Sequence, residues 1–255
     1  MSAVRRAVSK VDHYLWRILT WAAGSQLSPA GAIVKLCLIL TLVMVLGTIV
    51  GWRILGTKIG WLFGEGDLMT WVSTLALLAC GSIAFRIWQA RRAQSAEEDR
   101  RNKTIVWRYL GFGFFFLAAD ELLRIHESFD RQLHKLLGVR PTDFTDHLDD
   151  LIVMLYGVAG LYLLIWGISE IKRYLSVKFL LLGAALFGTL TVTLDFLASA
   201  KWLWKTQFED LPTVQFTIDL IDVMEEMCKI YSEIFFVGAM LACLRIAQSI
   251  GSRAN

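Results

Sequence analysis

The sequence predicts an all-α fold: a polytopic membrane protein with a six-helix transmembrane bundle and an N-terminal amphipathic helix on the membrane surface. Three observations predict it. Hydrophobic residues make up 56% of the 255 positions, and the mean hydropathy is +0.52. Charged residues are only 19%, against about 25% in an average soluble domain. The apolar residues also arrive in blocks of about 20, the length of helix that spans a bilayer. This excludes a disordered chain and disfavours an ordinary soluble enzyme.

The first element is the amphipathic one. Val4, Val8, Val11, Leu15 and Ile18 form one apolar stripe, flanked by Arg5, Arg6, Lys10 and Arg17. A basic amphipathic helix suits the anionic cytoplasmic leaflet, so residues 1–30 are read as an interfacial anchor. Residues 31–250 hold the six spans, and 251–255 are a tail. The spans are read as Gly31–Trp52, Leu68–Trp88, Ile105–Phe129, Leu151–Gly167, Val177–Ala198 and Met227–Ala247. The first apolar run is too long for a signal-peptide core and is followed by further spans, so no cleavable leader is expected. The intervals are short, and the stretch Arg91–Lys103 reads as a charged loop.

Charge fixes the expected orientation. With the N-terminus inside, 17 of the 26 Lys and Arg residues fall on the cytoplasmic side, while 18 of the 23 acids fall outside. That bias predicts N-in, C-in topology in the cell inner membrane. Trp52, Trp71, Trp88, Trp107, Trp166, Trp202 and Trp204 lie near span ends, as aromatic belts require. The four cysteines sit in apolar segments without a CxxC pair, so they read as small buried hydrophobes. No phosphate loop, dinucleotide fingerprint or HExxH motif occurs. Basic residues trace the membrane margin, so no nucleic-acid partner is expected.

The chemistry concentrates at the outer end. Asp120, Glu121 and Glu233 fall inside apolar spans, at ~10 Å below the outer surface when counted along their helices. Ionisable groups at such depth are functional candidates by default. His126, Glu127, His147, Asp150 and Asp195 gather on the same side. Along the last helix, Asp219, Asp222, Glu226 and Glu233 share an arc of roughly 60° with only Lys229 beside it. Like charges at that spacing repel, so a cation, a basic partner or shared protons is expected there.

Glu121, His126, Glu226 and Glu233 are the candidate acid/base residues. Glu121, His126, Glu127, His147, Asp150, Asp195, Asp222, Glu226 and Glu233 are the candidate metal ligands. Mixed carboxylate and histidine donors suit iron, manganese or zinc, whereas carboxylates alone suit calcium or magnesium. The Glu-x-x-His motif of di-iron bundles is absent, and Glu121 and His126 lie about 140° apart on a regular helix. Asp120–Arg124, Glu127–Arg131 and His126–Asp130 are each spaced for local pairing, while Glu121 has no partner four residues on.

The run Phe116-Leu117-Ala118-Ala119-Asp120-Glu121 with His126-Glu127 resembles a pattern, FLxxDExxxxHE, of multi-pass bacterial membrane proteins of unknown function. The resemblance covers mainly one helix and implies that Asp120, Glu121, His126 and Glu127 act as a unit, without implying an activity. Glu225-Glu226-Met227-Cys228-Lys229 is similar to the EExxK motif of PrsW-type intramembrane proteases. Those proteins place further acid and histidine motifs on later helices, whereas here His126 and Asp130 lie upstream.

Three function classes stay open. One is an enzyme, metal-dependent or acid/base, acting on a lipid or other membrane-borne substrate. Another is a cation or proton channel or transporter with an acidic outer vestibule. The third is a structural or regulatory subunit whose acidic end docks a membrane protein partner.

Overall fold

The computed structural model describes residues 29–50, 53, 68–93, 98–137, 148–199 and 212–252. The N-terminal amphipathic helix, His147, Trp202, Trp204 and the last three residues lie outside the described residues. Among the described residues the chain is helical throughout, with no strand.

The helices are α1 (Pro29–Val50), α2 (Leu68–Ala93), α3 (Glu98–Leu123), α4 (Ile125–Leu137), α5 (Leu148–Trp166), α6 (Ile168–Ile171), α7 (Lys178–Ser199) and α8 (Pro212–Ser252). A 3-10 segment, Lys172–Val177, joins α6 to α7. Three helical stretches are long and apolar enough to cross a membrane: Leu68–Ala93, Ile168–Asp195 and Asp219–Ile250. Lys35–Gly47 and Met154–Trp166 are shorter apolar helices. Many large apolar side chains point outward, including Leu38, Leu42 and Leu46 on α1, Val158 and Leu161 on α5, and Leu182 and Leu186 on α7. Exposed in water, such a surface would drive association. Facing lipid tails, it carries no such penalty, and this is a membrane protein.

At three places the helices depart from the sequence expectation. The stretch Arg91–Lys103 is mostly helical, because α2 runs to Ala93 and α3 already begins at Glu98. The third apolar segment is not one helix through Phe129. It breaks at Arg124, whose φ of 51° is left-handed. The third departure is the length of α8. Its 41 residues form one helix about 60 Å long, roughly twice the hydrocarbon thickness of a bilayer. The acids expected to precede the last span are therefore on the same rigid rod as the span.

Packing is uneven. The central helix α8 lies against α2 on one side and α7 on another, and α2 also packs along α3. Glycines allow two of these approaches. A Cβ on Gly81 of α2 would sit 3.1 Å from the Gly111 carbonyl oxygen of α3, and one on Gly183 of α7 would sit 2.6 Å from the Phe235 ring. Gly157 and Gly160 on α5 differ: a methyl group on either would meet nothing within 4 Å. Their small size serves no close contact among the described residues. The core runs through Ile83, Ile87, Val106, Trp107, Ile230, Ile234, Met240 and Cys243. The hydroxyls of Thr41 and Tyr231 are hydrogen-bonded and tie α1 to α8.

Candidate functional site

Helical periodicity in α8 aligns Glu226, Lys229 and Glu233, at spacings of three and four residues. Lys229 Nζ lies 3.0 Å from Glu226 Oε2 on its own helix and 3.0 Å from Glu121 Oε1 on α3. An ammonium has three donors, so one lysine can hold two carboxylates at once. Its side chain is 26% exposed and that of Glu121 is 19% exposed. The bridge sits at the margin of the packed interior.

One turn deeper, Glu233 is buried, with 8% exposure. Ser73 Oγ on α2 donates to Glu233 Oε1 at 2.6 Å. The other oxygen, Oε2, is buried and has no hydrogen-bond partner among the described residues. The hydroxyl of Thr74, beside Ser73, is likewise buried without a partner there. Lys229, Glu121 and Glu226 are near enough to exert charge effects on Glu233. Three helices thus bring three carboxylates, one ammonium and a serine into a single cluster.

Asp120 and His126 form a second, separate unit. Arg124 adopts its left-handed turn while its N–H donates to the Asp120 carbonyl at 2.7 Å, as α3 ends. The Asp120 carboxylate then accepts the His126 N–H at 2.9 Å and the His126 Nδ1–H at 2.8 Å. Asp120 therefore satisfies a donor at the start of α4, the role of a helix cap. Buried at 4% exposure, it is fastened to His126 six residues on, across a break that a continuous helix would not contain. Tyr156 of α5 stacks edge-on against Phe116 at 5.1 Å and lies within electrostatic range of Asp120.

Of the sequence-derived candidates, Glu121, Glu226 and Glu233 are brought together through Lys229 and Ser73. His126 is held by Asp120. Asp195 and Asp222 both lie near Glu225, and Asp222 is exposed. The side chains of Glu127 and Asp150, and all of His147, are outside the described residues. Among the described residues, no three His, Cys, Asp or Glu side chains form a group able to hold a metal ion. The donors that do converge fit an ammonium: Lys229 stands between Glu121 and Glu226, where a bound cation would otherwise balance them.

Two groups escape a sequence reading. Ser73 is an ordinary serine in an apolar helix, and nothing local marks it as the partner of a residue 160 positions away. At the opposite, basic end, Arg91 Nε donates to Glu170 Oε1 at 2.7 Å and its terminal nitrogen donates to Oε2 at 3.3 Å. Tyr174 and Arg173 complete the shell around Glu170, at 3.3 Å and 3.2 Å. The available signal was Glu170 itself, an acid in a short, otherwise basic interval.

No curated protein and no solved structure matches this chain. Residues 32–244 match a family described as a domain of unknown function, DUF8692, so the chain, with its lysine-bridged carboxylates, belongs to that family.

Proposed function

We propose that this chain is a six-span protein of the cell inner membrane, with both termini cytoplasmic, that takes up and releases protons at Glu233 as part of a proton or cation transport cycle. The observation that carries this reading is the buried, unpartnered Oε2 of Glu233 beside an ammonium already shared by two other carboxylates. A carboxylate with an unpartnered oxygen accepts a proton without breaking an existing bond. Lys229 and Glu226, partly exposed, lie within electrostatic range of Glu233 and border it on the more exposed side of the cluster. Ionisable residues inside membrane helices characteristically mark such relays.

The test is proton flux into liposomes holding the purified protein and a pH-sensitive dye, driven by an imposed potassium diffusion potential. Wild type should acidify the lumen well above protein-free liposomes, and Glu233→Gln should fall to background while retaining wild-type thermal stability. Equal flux in wild type, Glu233→Gln and empty liposomes would reject the proposal.

A second reading, an acid/base enzyme acting on a lipid or other membrane-borne substrate, draws on one specific observation. Lys229, Glu121 and Glu226 are about a fifth to a quarter exposed, so a polar group of a substrate has access to them. Its metal-dependent form, with iron, manganese or zinc, requires donors beyond the described cluster, since Lys229 occupies the carboxylates. Elemental analysis of detergent-purified protein separates the two forms.

A further inference from the structure

A different site lies at the basic end, on the face shared by α2 and α3. The guanidinium of Arg92, in the last turn of α2, is 5.4 Å from the centre of the Trp88 ring. That of Arg108, from α3, is 5.5 Å from the same ring and 5.7 Å from Phe112. Both arginines are exposed. Among the described residues neither has a carboxylate partner. Two guanidiniums are thus gathered on one indole, with their charge unneutralised by the described part of the chain.

Below them runs an aromatic strip. Phe85 packs edge-on against Trp88 and Phe112, at 6.4 and 5.0 Å, and stacks on Phe115 at 5.8 Å. Phe112 is 52% exposed. The strip exists because Gly111 leaves room for Phe85, whose ring would lie 2.7 Å from any Cβ there. The order along the helices is therefore paired cations near the end of the apolar stretch, then a strip of aromatic rings, with Phe112 exposed and Phe85 and Phe115 partly so, running toward its middle.

From this juxtaposition we infer that Arg92, Arg108 and Trp88 bind the phosphate of an anionic phospholipid, whose acyl chain lies along Phe112, Phe85 and Phe115. Guanidiniums present planar forks of donors that match phosphate oxygens, and ring stacking pre-positions them. An anionic headgroup is favoured over a zwitterionic one, because two guanidiniums on one ring present two positive charges to the headgroup. Basic residues at a membrane margin contribute to anionic-lipid binding individually, and two fixed on one ring localise that contribution to one lipid. The site is independent of the proton-handling cluster: Trp88 lies 15 positions along α2 from Ser73, or about 22 Å.

The experiment is native mass spectrometry of the full-length protein in detergent, titrated separately with phosphatidylglycerol, phosphatidylcholine and inorganic phosphate. Wild type should retain one phosphatidylglycerol per chain in preference to phosphatidylcholine, with no competition from millimolar phosphate. Arg92→Gln/Arg108→Gln should weaken phosphatidylglycerol binding by about tenfold or more, and Trp88→Leu should weaken it less. Lys178→Gln, a change to a basic residue at the same end on α7, should leave it unchanged. If the double variant loses its melting transition, Arg108→Gln alone carries the comparison. Unchanged affinity in the arginine variants, an equal loss in Lys178→Gln, equal binding of phosphatidylcholine, or displacement by phosphate would each overturn the inference.

Discussion

Two buried carboxylates, Glu170 at the basic end and Glu233 toward the acidic end, are accommodated by the fold in opposite ways. Glu170 is closed. Both oxygens are taken, by the fork of Arg91 and by Tyr174 and Arg173. The pair is buried, at 7% and 3% side-chain exposure, and Tyr174 packs edge-on against Trp107 at 5.1 Å. Glu233 is left half-satisfied, with Ser73 on one oxygen and none of the described donors on the other. A saturated ion pair has no capacity for a further ligand or proton, so it acts as a fastener between α2 and the α6 region. A carboxylate with a spare oxygen beside an ammonium retains that capacity. Both carboxylates are buried; the difference is the count of donors and the surrounding charge, two guanidiniums at Glu170 against one ammonium and two further carboxylates near Glu233.

The largest effect that would break this contrast is at the fastener. Arg91→Ala leaves Glu170 buried without its main partner and should cost about 3–5 kcal/mol, read as a lowered unfolding transition in detergent. Adding Glu170→Gln to it should recover much of that loss. A single-variant melting curve matching wild type would show that the pair holds nothing together.

A smaller effect is expected at the open cluster. Lys229→Met places Glu121 and Glu226 side by side without their shared cation. Because these groups are partly exposed, the cost should be only about 1 kcal/mol. The informative comparison is Lys229→Met with Glu226→Gln, in which relief of the repulsion should restore the wild-type transition. If the pair of changes is no better than Lys229→Met alone, the lysine is held for some reason other than the carboxylates.

The smallest and most local effect concerns Asp120. Asp120→Ala removes the acceptor for the His126 backbone and ring, and loss of a helix cap typically costs about 1 kcal/mol. Amide exchange should accelerate at Ile125–Phe129 while α2 and α8 keep their protection. Unaltered exchange in that turn would mean that the left-handed Arg124 alone determines the break.

Much of this site was legible from residue types and spacing, up to the point where separate helices meet. The i, i+3 and i, i+4 spacing along α8 is a property of the helix, so Glu226, Lys229 and Glu233 had to share a face. Depth counting from the apolar blocks likewise marked Asp120, Glu121 and Glu233 as costly groups. At Asp120 local spacing offers Arg124, four residues on, and says nothing of the break that follows. The chain turns left-handed at Arg124 itself, and the carboxylate serves His126 on the next helix. Local spacing was also silent about Glu121, whose partner lies on another helix, 108 positions further along the chain.

Composition and periodicity by themselves determined that this chain is helical and belongs in a membrane, because both follow from apolar block length and from which side chains recur on one face. They also determined which ionisable residues would be expensive to bury. Only the tertiary structure decided how each expense is met. Ser73, Lys229 and Arg91 acquire their roles from helices packed side by side, and a hydrogen bond depends on distance in space, to which separation along the chain gives no guide. The same packing left one oxygen of Glu233 unpartnered and drew two arginines onto one indole, and those two outcomes carry the functional proposals.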